Sequence, residues 1–349
     1  MSGRHALWAI RGGLCVAALV VLALLPRVLS DFRASQAALV AVYFVALLGL
    51  NVLTGYSGQV SLGHGAFMAV GAYTTAILIS DQGLELAGHT FGSDMRDLVT
   101  IPIAGLVAGV AGVLFGIPAL RLSGLYLALA TFAVAVALPS VLRRAETLTG
   151  GSSGVNLFGL PQITGHSIST TVLGRELTYN DWLYYLCWTV AVLMLALCWL
   201  LLRGRTGRAL RAIRDSEVAA AASGIHLPTY KTLAFGVSAF YAGVAGSLFA
   251  LAIGFVNPNS PDPVTYSIFL LVGLVVGGLG SLWPLVFGAA FIQFLPDVAQ
   301  RVSNAPGTPA IVYGAALVIA MFVLPTGVGG LLRRLLGPLT SRLYTRAES

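Results

Sequence analysis

ASQAALVAVYFVALLGLNVLTGYSGQVSLGHGAFMAVGAYTTAILIS, residues 34–80, contains no charged side chain. As one continuous helix it would run about 70 Å, more than twice the roughly 30 Å hydrocarbon thickness of a bilayer. It therefore has to turn back. Its aliphatic pattern gives way at residues 54–65, TGYSGQVSLGHG, where glycine, serine and threonine interrupt a helix. Backbone that leaves the helical path at membrane depth survives only when buried in protein or lining a water-filled cavity, because lipid satisfies no peptide group. The stretch reads as two apolar helices around a broken segment, and such a break is a candidate solute path. Its polar members, Asn51, Thr54, Tyr56, Ser57, Gln59, Ser61 and His64, are the candidate solute contacts; the competing reading is that they only satisfy the break's own backbone.

The rest of the chain extends this picture. Of 349 residues, 57% are hydrophobic and 9% charged, whereas a soluble domain carries about a quarter charged residues. At about 20 apolar residues per span, helices are expected near 7–29, 37–53, 64–80, 99–118, 124–142, 181–202, 231–255, 264–282, 284–300 and 309–326. The expected fold is all-α, a polytopic membrane protein of about ten transmembrane helices including broken or re-entrant segments, with eight or nine as open readings. Arg4 and Arg11 precede an apolar stretch like a signal peptide, but Pro26, Arg27 and Val28 follow it in place of a cleavage site, so it reads as a retained first helix. A second interruption, at Gly277, Gly278, Gly280, Ser281 and Pro284, divides another apolar run too long for one crossing. Glycines at four-residue spacing, Gly105 with Gly109 and Gly112 with Gly116, predict close helix packing.

The net charge of +7 reflects topology, because the arginines sit at span ends. A basic, aromatic-rich nucleic-acid surface is absent from the pattern. Arg4, Arg11, Arg121, the cluster Arg203, Arg205, Arg208, Arg211 and Arg214, Lys231, Arg333, Arg334, Arg342 and Arg346 fall on one side. Arg27, Arg33, Arg96, Arg143, Arg144, Arg175 and Arg301 fall on the other. The richer side, with both termini, is expected to be cytoplasmic. Cys15, Cys187 and Cys198 lie in apolar runs and read as packing residues, and the five histidines lack ligand spacing, so no metal site is expected.

The most basic interval, residues 203–230, lies on the cytoplasmic side, and residues 143–180 form the longest external loop. Within the former, residues 207–223 predict one short helix outside the membrane, with Leu210, Ile213, Glu217 and Ala220 on one face, ended by Pro228. A basic helix lying on anionic lipid is the plain reading. The order of residues argues for more: Glu217, Ala219, Ala220, Gly224, Ile225, Leu227 and Pro228, as E-x-A-A-x-x-x-G-I-x-L-P, resemble the EAA loop of ABC importer permeases. Residues 51–76, 149–155 (TGGSSGV) and 277–289 (GGLGSLWPLVFGA) are similar to segments of the branched-chain amino acid permease family, of the LivM and LivH type. The resemblance implies a single permease domain over 1–349 in a bacterial inner membrane, importing leucine, isoleucine and valine. It also implies a coupling role for Glu217, Ala219, Ala220, Gly224, Leu227 and Pro228 against an ATPase. Further implied partners are a second permease subunit, two ATPase subunits and an external binding protein that faces residues 143–180. A zwitterionic solute would then place its carboxylate at the helix start near His64 and its ammonium on carbonyls freed at the break.

Some chemistry is missing from the sequence. The phosphate-binding pattern G-x-x-x-x-G-K-[ST] fails at the sole lysine, Lys231, which follows Tyr230, with Ile225 at the earlier glycine position. ATP and magnesium are therefore expected on partner subunits, with no cofactor on this chain and no catalytic site. The acidic residues fall in loops or near span ends, which argues against an ion relay. The alternatives are an importer of the same family for urea or short amides, and a passive channel with its constriction at residues 54–65.

Overall fold

The computed structural model describes residues 20–302 except 28–29, 81–83, 87–88, 92–94, 123, 161–162, 165–170, 173–174, 177 and 259–261, together with 311, 314–315, 318–319, 322, 327–331 and 334. The expected spans 7–29 and 309–326 lie largely outside the described residues, as do both termini. Helix α1 (Asp31–Leu50) is apolar on every side and runs on as a π-helical turn, Asn51–Tyr56. The chain returns as α2 (His64–Ile79), then crosses as α3 (Asp97–Ala119), α4 (Leu125–Arg144) and α5 (Tyr179–Arg203). Two short helices follow, α6 (Arg205–Asp215) and α7 (Glu217–Ala222), before α8 (Leu227–Ile253), α9 (Pro263–Gly277) and α10 (Leu285–Val302).

Five of the described helices are long and apolar enough to cross a bilayer, and α2, α9 and the apolar part of α10 are shorter. The all-α polytopic expectation stands. Burial sorts the long ones into two layers. The α1 and α8 spans are 83% and 78% buried, against 33%, 22% and 28% for α3, α4 and α5, so the first pair is the core and the others turn a face outward. Outward Leu106, Val110, Leu114, Leu193 and Leu200 are exposed, as lipid-facing residues must be where no water drives them inward.

The core packs by removing side chains. Gly105, Gly109, Gly112 and Gly116 face Val244, Phe240, Ala239 and Phe235 of α8, so the four-residue spacing in α3 does form the expected contact stripe. On its other side α8 meets α2, where Gly71 lies on the Gly243 backbone and Gly246 on the Met68 backbone. Thr75 Oγ1 donates to Ser247 Oγ at 2.6 Å across the same crossing.

One end of the bundle carries α6, α7 and the arginine cluster. The opposite end carries the longer loops, held by three ties. Strand β1 (Val155–Asn156) pairs antiparallel with β2 (Phe255–Val256), joining the 143–180 loop to the end of α8. Asp97 is buried at the start of α3 and accepts from the Thr164 hydroxyl at 2.6 Å and its N–H at 3.2 Å. Tyr179 Oη donates to the Leu251 carbonyl at 2.7 Å. Asp97, Asp181 and Asp262 all sit at helix starts, where a carboxylate complements the helix dipole.

The structure differs from expectation at the basic loop. A single helix over 207–223 is replaced by α6 and α7, separated at Ser216, whose backbone is extended (φ −162°, ψ 115°). Its hydroxyl accepts from Ala219 N–H at 3.2 Å, a helix-starting cap that outcompetes continuous helix. The break resets the helical register. Leu210, Ile213 and Ala220 are buried as expected, but Glu217 is half exposed and leaves their face.

Candidate functional site

The two interruptions read from the sequence meet in space. Asn51, fully buried in the π turn, donates from Nδ2 to the Ser281 carbonyl at 2.8 Å and accepts on Oδ1 from Gly280 N–H at 2.9 Å. Both ends of one amide are thus used to join segments 230 and 229 residues apart. Gly55 lies one turn on, and any side chain there would overlap Asn51 Oδ1 and come within 2.8 Å of Gly280 N. Ser281 Oγ donates to the Gly278 carbonyl at 2.6 Å, closing the second break on itself.

The π turn explains why the first break begins later than residue 54. Ser57 N–H reaches back five residues to the Val52 carbonyl at 3.2 Å, so the helix widens through Tyr56 before it stops. Such widened turns occur mostly as isolated features and often at functional sites. Non-helical backbone then occupies residues 57–63. Its polar side chains are largely turned on the break itself. Thr54 Oγ1 donates to the Gln59 carbonyl at 3.1 Å, Gln59 Nε2 donates to Ser57 Oγ at 2.7 Å, and Ser61 Oγ accepts from Gly63 N–H at 3.3 Å. Thr131 of α4 accepts from Leu62 N–H at 2.9 Å.

His64, at the start of α2, is buried between three helices. Its Nε2 lies 3.0 Å from the Ala46 carbonyl of α1, and its Nδ1 lies 3.3 Å from Ser238 Oγ of α8. A carbonyl only accepts, so Nε2 carries the proton and Nδ1 accepts from the serine hydroxyl. The first amides of α2 also have partners: Gly65 N–H donates to Ser267 Oγ at 2.9 Å and Ala66 N–H to the Gly63 carbonyl at 3.0 Å. The break is thereby a knitted structure. Tyr56 and Thr54 are its half-buried candidates, while Asn51, Ser57, Gln59, Ser61 and His64 are buried.

The second candidate region is the α6–α7 surface. Glu217 pairs with Lys231 near the start of α8, Oε2 to Nζ at 2.7 Å. Of the other EAA-like positions, Ala219, Gly224 and Pro228 are exposed, Leu227 is half-buried and Ala220 is buried. Sequence reading passed over Val218, which is 82% exposed and sits among exposed Ala219, Ala221 and Ala222. Together these side chains form a small exposed apolar patch at the arginine-rich end. It also passed over Tyr73 of α2, buried with its hydroxyl unpartnered among the described residues. Only the three-dimensional packing singles that residue out. Among the described residues no group of acidic, histidine and cysteine side chains could hold a metal.

Comparison with known proteins places these features in a family. Residues 33–322 match the family described as "Branched-chain amino acid transport system / permease component". The chain is 33% identical to the high-affinity branched-chain amino acid transport system permease protein LivM of Escherichia coli K12 over 327 residues, covering 90% of this chain and 73% of that protein. It is 32% identical to LivM of Salmonella typhimurium over the same shares. Similarity extends to the LivH permease of Escherichia coli K12, 26% identical over 82% of this chain and 91% of that protein. No solved structure matches. A family match from the first described long helix to beyond the second break, with identities above 30% over nine-tenths of the chain, leaves one assignment: the chain belongs to the branched-chain amino acid permease family.

Proposed function

We propose that this chain is one of two permease subunits in an ATP-driven importer of leucine, isoleucine and valine. The observation that carries the reading is the match to both the LivM and LivH types along most of the chain, joined to an exposed small-residue surface at the arginine-rich end. A LivH-like chain supplies the second permease subunit. Two separate ATPase subunits bind ATP and magnesium, and an external binding protein delivers the solute to the end that carries the 143–180 loop. The arginine-rich end faces the cytoplasm of a bacterial inner membrane.

The solute path in this reading passes the joined breaks, with residues 51–64 forming part of its wall. Asn51, Ser57, Gln59, Ser61 and His64 set the wall's shape, and Thr54 and Tyr56 are the side chains with surface left to offer. Glu217, Val218, Ala219, Gly224 and Pro228 form the ATPase docking surface. Burying Val218 in a partner contributes about 1.5–3 kcal/mol. The half-exposed Glu217–Lys231 pair contributes at most about 1 kcal/mol to the fold, so its carboxylate remains free to accept from a partner.

Two measurements test this. In cells lacking only this chain, restoring it should return labelled-leucine accumulation above the outside concentration, with excess isoleucine suppressing uptake and excess urea leaving it unchanged. Competition by urea, or uptake unaffected by the deletion, would remove the substrate assignment. Separately, Val218→Asp should leave the chain's membrane level unchanged and cut co-purification of the ATPase subunits at least tenfold. Full retention of the partners would place their dock elsewhere.

A further inference from the structure

Arg214 sits near the end of α6 and lies across the point where the two breaks join. Its guanidinium Nη1 donates to the Gly55 carbonyl in the π turn, 159 residues away. That carbonyl belongs to the C-terminal end of the α1 helix, where the dipole is negative and a cation is favoured. The side chain lies in a slot built from two glycine turns, one from each break. A Cβ on Gly58 would stand 3.2 Å from Arg214 Cγ, and a Cβ on Gly280 would stand 3.2 Å from Nη1. Both glycines have positive φ, 75° and 72°, so the slot exists because neither turn carries a side chain. Its neighbours on α6 and α5 are engaged nearer home: Arg211 donates to the Gly207 and Leu202 carbonyls, and Arg203 lies over Trp199.

We propose that Arg214 is the positioning residue through which movement of α6 and α7 reaches both helix breaks. The proposal rests on the reading of α6–α7 as the ATPase dock. A docked element changes a distant site only through contacts that differ between two arrangements. The Arg214 side chain supplies such a contact. While it is seated, Gly55 and Gly280 are held at its guanidinium and Gly58 against the base of its side chain, and Asn51 holds Gly280 and Ser281 beside them. When α6 shifts and withdraws it, the Gly55 carbonyl loses this donor and the slot between the breaks opens. Arg214 is itself exposed on part of its surface, so it has room to leave.

The test uses the full complex expressed with its partner subunits, with Val60→Cys in the first break as a reporter; Val60 is 40% exposed and next to the slot. Its rate of maleimide labelling is measured in membrane vesicles without nucleotide and with ATP plus vanadate. With Arg214 present the rate should change at least threefold. With Arg214→Ala, which keeps a good helix former at that position, the change should vanish, while co-purification and ATP hydrolysis by the partner subunits stay within twofold. Arg214→Lys, which retains a cation without the planar fork, should fall between. The same nucleotide response in both chains, no response with Arg214 present, or loss of the ATPase subunits from the Arg214→Ala complex would each overturn the proposal. Failure of the docking reading shows separately, as unchanged co-purification of Val218→Asp.

Discussion

Gly246→Val is expected to prevent the chain from accumulating in the membrane. Gly246 lies where α8 crosses α2, and the first carbon of any side chain there would overlap the Met68 carbonyl oxygen and come within 2.8 Å of its carbon and 2.9 Å of Ala72 N. All three are backbone atoms. No rotamer change relieves the contact, so the two helices have to part. Their separation would also pull Gly71 from Gly243 and stretch the Thr75–Ser247 hydrogen bond. Overpacking a close contact costs about 1–3 kcal/mol and more when nothing yields. That is a large share of the roughly 5–15 kcal/mol that holds a native fold. The measurement is the chain's level in the membrane fraction, and the melting temperature of whatever is recovered in detergent. Gly204→Ala is the control: Gly204 has φ −76°, and its nearest neighbour to an added Cβ is 3.5 Å away. It should stay within about 0.5 kcal/mol of the parent. Equal accumulation of both variants would show that the α2–α8 crossing is looser than described.

Replacing Asn51 should abolish uptake with less effect on accumulation. Asn51→Leu leaves Gly280 N–H and the Ser281 carbonyl without the partners they now have, at about 1–3 kcal/mol for each buried group. Asn51→Asp is the sharper test because it keeps the shape. It sets a carboxylate oxygen against the Ser281 carbonyl where an amide donor stood, two acceptors facing each other in a fully buried position. Labelled-leucine uptake should fall at least tenfold in both variants. Thr54→Ala, which removes one half-buried bond to the Gln59 carbonyl, should cost only about 0.5–1.5 kcal/mol. Uptake within twofold of the parent for Asn51→Asp would mean that the link between the breaks is dispensable.

The sequence by itself determined the class of the fold and the places where helices cannot continue. Uncharged runs longer than a bilayer forced the turns at residues 54–65 and 277–284, and the glycine spacing of α3 announced a close helix contact, which the structure makes with α8. Both are local signals, written in composition and period. The arginine cluster likewise marked one end of the bundle and, with the EAA-like order of residues, the surface proposed for docking. Only the tertiary structure decided what those features touch. That Asn51 spans the two breaks, that Glu217 pairs with Lys231, and that Arg214 lies between Gly58 and Gly280 are contacts between segments far apart in the chain, and no local pattern encodes them. The division at Ser216 was hidden for a related reason. Good helix formers on both sides, arginine, leucine and alanine before it and an alanine run after it, favour unbroken helix, and the preference yields at Ser216, whose side chain caps a restart that leaves Val218 outward.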